Sequence, residues 1–223
     1  ELIPLEENPF KDYTDEELKA MLHGNELSPY EGPTEEVTYN LRAPTSYDFR
    51  KSYSGCTMSI RNQGQCGSCW AFAGSMSFQY KYCRSGKGKI VLSPQDAVSC
   101  IGNTYCDGNY LSSIMNFMRD KGLVLDSCIP YVAPTKLNCP TACTKSGQTY
   151  KKYKISGYSS TSGIENIKNA IYNNGPAAVW MQVYNDFYNL RSQIYVHTSG
   201  SALGGHFVVL LGWGSESGTN YWI

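Results

Sequence analysis

Gln63-Gly64-Gln65-Cys66-Gly67-Ser68-Cys69-Trp70 decides how this chain is read. It sets two cysteines three positions apart, at the mouth of an apolar-rich stretch that runs to Cys83 with Gly74 as its one breaker. Three kinds of chemistry use such a pair. A thioredoxin-like redox couple needs a βαβ context, and no such alternation surrounds it. A zinc site needs a second pair at matching spacing or a supply of histidines, and the chain has only three, His23, His197 and His206. A nucleophilic cysteine at a helix start needs the helix itself, whose unpaired N–H groups and dipole favour thiolate, and a histidine to activate it.

Outward from this stretch, the count of nine cysteines is the next informative fact. Eight can pair as four disulfides, leaving one thiol, and disulfides imply an oxidising compartment. The chain opens at Glu1 with no initiator Met and no basic-then-apolar leader, which reads as a form whose targeting segment has been removed. No Asn-X-Ser/Thr acceptor occurs. Lys+Arg and Asp+Glu balance at 19 each, which argues against a nucleic-acid or membrane-surface binder. No apolar run approaches the roughly 18 residues needed to span a bilayer. With 41% apolar and 17% charged residues, this is the composition of a folded protein, long enough for one large domain or two small ones.

The chain divides into three parts. Residues 1–42 hold no cysteine and are strongly acidic. Thr14-Asp15-Glu16-Glu17 is a capping box, followed by Leu18, Met21 and Leu22 at helical spacing, with Gly24 as a stop, so one short helix is predicted from Thr14 to His23. A helix this short needs a surface to lie on. Residues 43–143 hold every cysteine and read as helical: Cys69 to Cys83, Ser93-Pro94 to about Cys100, and Leu111 to Lys121 with Leu111, Ile114, Met115 and Met118 on one face. Residues 144–223 hold one helix, opened by Ser162 and closed at Gly175-Pro176. Strands are predicted at Ala177–Val183, Gln193–His197, His206–Trp213 and Tyr221–Ile223. A helical half followed by a β half is an α+β layout.

Taken together, these residues resemble the papain family of cysteine proteases. Cys66-Gly67-Ser68-Cys69-Trp70 matches its signature, and His206 follows Cys69 by 137 residues, within the family's spacing. Ile60-Arg61-Asn62-Gln63, Lys121-Gly122-Leu123-Val124, Asn174-Gly175-Pro176, Val183-Tyr184-Asn185-Asp186-Phe187, Gly204-Gly205-His206 and Leu211-Gly212-Trp213-Gly214 are similar to the cathepsin B branch. The resemblance covers about Pro44 to Ile223. It implies a two-domain fold, a helical left domain and an antiparallel, barrel-like right domain with the cleft between them.

The resemblance also implies roles. Cys69 matches the nucleophile and His206 the base that later protonates the leaving amine. Gln63 and the backbone N–H of Cys69 match the oxyanion hole. Gly67, Gly108, Asn109 and Gly205 match substrate-binding positions, with Asn109 in place of the family's glycine. The implied disulfides are Cys56–Cys83, Cys66–Cys106, Cys100–Cys139 and Cys128–Cys143. Residues 1–42 match an inhibitory propeptide, with the mature start near Arg42-Ala43-Pro44. The family's orienting asparagine would fall beyond Ile223, so a C-terminally truncated chain is expected. The cathepsin B occluding loop, with its histidine pair, would lie between Cys128 and Cys139, where only Ile129–Asn138 stand and no histidine occurs. The expectation is a monomeric endopeptidase proform with no cofactor and no metal, acting on proteins and peptides. Its own propeptide and cystatin-like proteins would inhibit it, and it would reside in the lysosome or vacuole or be secreted. The alternatives are a cathepsin B-type exopeptidase and a non-catalytic binding homologue.

Overall fold

Helix α1 spans Asp15–Ala20 and is built as its sequence demands: Glu17 N–H donates to Thr14 Oγ1 and Thr14 N–H donates back to Glu17 Oε2. It stops earlier than the predicted His23. The computed structural model describes residues 10, 12–22, 42–102, 105–133, 135–190 and 193–223, so His23, Gly24 and most of the acidic segment lie outside the described residues. The surface that α1 requires is present. Leu18, Met21 and Leu22 are buried in one cluster with Val183 and Leu203 from the β half.

Strand β1 (Tyr47–Asp48) leads into α2 (Phe49–Ser52), then α3 (Cys69–Tyr82), α4 (Pro94–Cys100) and α5 (Leu111–Asp120). Helix α3 is the axis of the helical half and is buried on nearly every side, by Trp70, Ala71, Ala73, Gly74 and Tyr80 among others. Gly74 is required where α5 crosses it, because a Cβ there would stand 2.5 Å from the Ile114 side chain. Trp70, Leu92, Val98, Ile114, Met118 and Leu123 close this core. Ser93 caps α4 through the Asp96 N–H, with Pro94 at the first position.

The β half begins after α6 (Ile164–Asn174). Strands β2 (Ala177–Tyr184) and β3 (Ala202–Leu210) pair antiparallel, with Met181 opposite His206. A second antiparallel sheet has the order β1, β4 (Gly212–Glu216), β5 (Thr219–Trp222). In β1, Tyr47 lies 166 residues from its partner Trp213, a pairing with no local signal. The architecture is α+β, with α3 packed against β2 and β3.

Three local expectations are corrected. The run His206–Trp213 is two strands: Leu211 breaks it, donating its N–H to Ile223 and accepting from Phe49 N–H, as the chain passes from one sheet to the other. Gln193–His197 is not a strand, because side-chain bonds from Tyr195 and His197 to Asp186 hold it in place of a ladder. The N-cap of α6 is Gly163, at φ +85°, and not Ser162, whose carbonyl instead receives the Asn166 amide.

Candidate active site

The loop before α3 is folded by close backbone contact. Gly67 N–H donates to Cys106 C=O at 2.7 Å. A Cβ on Gly67 would lie 2.5 Å from that oxygen and 3.0 Å from Gly108 N, so only glycine fits. The Cys66–Cys106 disulfide fastens the same crossing. Gly67, Gly108 and Asn109 are thereby brought beside the start of α3. Asn109 turns its side-chain carbonyl back to the Tyr110 N–H.

Cys69 is the first residue of α3 and 1% exposed. The other eight cysteines form Cys56–Cys83, Cys66–Cys106, Cys100–Cys139 and Cys128–Cys143, the pairs that the resemblance implies. Cys69 alone stands outside a disulfide. At a helix N-terminus the partial positive charge of the helix favours its thiolate.

Gln63 reaches the same place with its side-chain amide. Nε2 donates to Cys66 C=O at 2.9 Å and to Met21 C=O at 2.7 Å. Both amide hydrogens are thus engaged, one by the loop itself and one by the acidic N-terminal segment. From the same segment, Phe10 packs edge-on to Tyr188.

His206 sits on β3, in the strand pair that packs against α3. Burial pulls its imidazole down to about 4, so the ring is neutral at neutral pH. Its Nδ1 is buried with no hydrogen-bond partner among the described residues, and the same holds for Trp180 Nε1. In the register His206 stands opposite Met181 and Trp180 opposite Phe207, and the Trp180 indole covers Gly205, where a Cβ would overlap it. Two tyrosines flank the thiol. Burial pushes the Tyr131 and Tyr188 phenols up to about 12, and the nearby Cys69 adds to both.

Sequence reasoning did not select Tyr131, Trp180, Tyr188 or Met21. Trp180 fell inside a predicted strand without distinction, and Tyr131 acts on residues more than sixty positions away. A groove of about 1320 Å³ lies elsewhere, lined by Val179, Met181, Tyr195 and Trp213 among others, and neither Cys69, His206 nor Gln63 lines it. The N-terminal residues reach this region at Met21, whose carbonyl accepts from Gln63, and at Phe10, which packs on Tyr188. Among the described residues no group of three or more His, Cys, Asp or Glu could hold a metal ion.

The profile described as "Papain family cysteine protease" matches residues 43–223. The chain belongs to the papain family of cysteine proteases. It is 34% identical over 245 residues to a gut-specific cysteine proteinase of Caenorhabditis elegans, covering 94% of this chain and 73% of that protein. It is 35% identical over 209 residues to the cathepsin B-like cysteine proteinase 3 of the same organism, covering 81% of this chain and 56% of the relative. To the cathepsin B of Dictyostelium discoideum it is 34% identical over 204 residues, covering 82% of this chain and 65% of that one. The chain thus spans between about half and three quarters of these relatives. Among solved structures, procathepsin B S9 from Trypanosoma congolense superposes with a TM-score of 0.88 at 26% identity, covering 96% of this chain and 78% of that one. The papain-family domain therefore has cathepsin B-like homologues and a proenzyme as structural neighbour.

Proposed function

We propose that the chain is the proform of a cysteine endopeptidase. Cys69 sulfur, as thiolate, attacks the scissile carbonyl carbon, and the developing oxyanion is met by the Gln63 amide and the Cys69 backbone N–H. The C–N bond breaks as His206, made imidazolium by taking the Cys69 thiol proton, gives that proton to the leaving amine, leaving a thioester on Cys69. Water then attacks the thioester, His206 takes its proton, and the sulfur departs. The observation that carries this reading is the 2.7 Å bond from Gln63 Nε2 to Met21 C=O. The amide already holds a peptide carbonyl, as it would hold a substrate's.

Residues 1–42 are then the inhibitory propeptide, 43–143 the domain carrying the nucleophile and 144–223 the domain carrying the histidine. Gly67, Gly108, Asn109 and Gly205 bind the extended substrate backbone. Internal cleavage is favoured because only Ile129–Asn138 stand between Cys128 and Cys139, and no two of the three histidines are adjacent. Nothing of that composition offers a strong receptor for a substrate's terminal carboxylate. We further assign the enzyme to a monomer of the lysosome, vacuole or secreted space, open to cystatin-like inhibitors.

The test compares matched peptides with free and amidated C-termini on the processed enzyme. Similar rates with internal fragments are expected. A strong preference for the free acid, with dipeptides as the main product, would replace this reading with the exopeptidase one.

A further inference from the structure

Ser68 is the N-cap of α3, where a serine hydroxyl ordinarily accepts from the second or third N–H of the helix. Its hydroxyl makes no such bond. It lies instead 2.6 Å from the phenol of Tyr131. That phenol has one hydrogen, donated to Gln63 C=O at 2.7 Å. Ser68 has a second acceptor in Cys66 C=O, but at 3.5 Å that contact is much the weaker, so Ser68 is the donor to Tyr131 and a directed chain runs from Ser68 Oγ–H through Tyr131 O–H to Gln63 C=O. Its ends are the residue before Cys69 and the residue bearing the oxyanion amide. The Tyr131 ring is set by an edge-on contact with Phe72 in α3, centroids 4.8 Å apart.

We propose that Tyr131 is a positioning residue for the thiol chemistry, tying the Gln63–Ser68 loop together and holding the Ser68 hydroxyl off the N-terminus of α3. The inference rests on the roles proposed above for Cys69 and Gln63. A capping oxygen would compete with the Cys69 sulfur for the positive end of the helix, so diverting it favours thiolate. A slack loop would let the Gln63 amide drift from the oxyanion, and small displacements of such groups are costly. The ionisable groups acting on Tyr131 are Tyr105, Arg61 and Cys69. Tyr188 also responds to Cys69, and His206 lies on the strand packed against α3. With the phenol pushed up to about 12, its donor persists across the working range of pH.

The experiment uses enzyme processed from the proform, carrying Tyr131→Phe, which keeps the ring against Phe72 and removes only the hydroxyl. Alkylation of Cys69 by iodoacetamide is followed against pH, and kcat and KM are measured on one peptide. The expected result is a fall in kcat of roughly tenfold to a hundredfold with little change in KM. The acid limb of alkylation should also move up by about half a pH unit. In Ser68→Ala/Tyr131→Phe no hydroxyl remains to cap the helix, so the alkylation profile returns to the wild-type position while kcat stays low. An unchanged kcat and profile in Tyr131→Phe overturns the proposal, as does a pH shift that the double variant retains. If instead wild-type Cys69 alkylates no faster than an ordinary thiol and activity survives Cys69→Ala, the underlying roles fall, not this inference alone.

Discussion

Gln63 and Met21 are joined by a 2.7 Å hydrogen bond from the side-chain amide of one to the backbone carbonyl of the other. The bond crosses from the acidic N-terminal segment to the loop that precedes Cys69. Under the function proposed above, the same amide would hold the segment in the proform and meet a developing oxyanion in the processed enzyme. Gln63→Ala should therefore separate two magnitudes. Loss of an oxyanion donor costs roughly a hundredfold to a thousandfold in kcat. Loss of one neutral hydrogen bond should weaken inhibition by a peptide of residues 1–42 only about fivefold, from about 1 kcal/mol. Steady-state kinetics and peptide titration read the two separately. Equal losses in both would contradict the dual role.

Docking of the acidic segment should depend on apolar burial more than on polar contacts. Leu18 and Leu22 are each 6% exposed, against Val183 and Leu203. Truncating either to Ala should cost about 2 kcal/mol or more, a weakening of roughly thirtyfold. Asp15 accepts from Asn185 Nδ2 at 2.8 Å in an exposed setting, so Asp15→Ala should cost less than about 1 kcal/mol. Spontaneous activation of the proform at neutral pH should rise sharply in the leucine variants and little in Asp15→Ala. The reverse order would refute this ranking.

The pH dependence follows from His206. Its folded pKa of about 4 lies below the ordinary 6.5, so between these values the unfolded state binds more protons than the folded one. Stability is then greatest above about pH 6.5 and falls as pH drops toward 4, by at most about 3 kcal/mol from this group. Asp186 does not share this window. Burial alone would push its carboxyl up, but hydrogen bonds from the Thr198 N–H, Tyr195, His197 and the Ser199 N–H outweigh it and hold the group well below the usual carboxylate range. Its contribution stays intact until the pH falls below that of an ordinary carboxylate. In a Cys69→Ala background, His206→Gln should shrink the drop in Tm between pH 7 and pH 4.5. An undiminished drop would assign the acid sensitivity elsewhere.

Glycine substitutions provide a geometric test. Gly67→Ala forces a Cβ against Cys106 C=O at 2.5 Å, backbone against backbone, and must shift the loop or strain the Cys66–Cys106 crossing. Gly157→Ala meets nothing within 4 Å. The first should lower Tm by several degrees and abolish most activity, and the second should change both little. Comparable behaviour of the two variants would show that the crossing is looser than described.

Local chemistry explains which parts of this fold were legible in the sequence. The Thr14–Glu17 capping box, the Ser93-Pro94 start of α4 and the Cys69 start of α3 are signals contained within a few residues, and each helix begins where its signal stands. The two-residue β1 was invisible because its partner lies at Trp213. The alternation in Gln193–His197 reads as a strand, yet the pull of Asp186 on that segment is a tertiary effect. The run through Leu211 looks continuous because nothing in its composition marks a crossing between sheets. At the site, Cys69, Gln63 and His206 were singled out by the motifs that carry the family resemblance. Tyr131 was not, because it works through bonds to Gln63 and Ser68 that only the folded chain brings within reach.

The central claim is that Cys69 is the nucleophile and that residues 1–42 mask it. An epoxide-type thiol-protease probe, applied to the proform and to the processed enzyme, tests both parts, with adducts mapped by mass spectrometry and Cys69→Ala as control. The account predicts one adduct, on Cys69, forming at least tenfold faster after residues 1–42 are removed and absent in Cys69→Ala. Labelling of any other cysteine, or equal labelling of Cys69 in proform and processed enzyme, would contradict it.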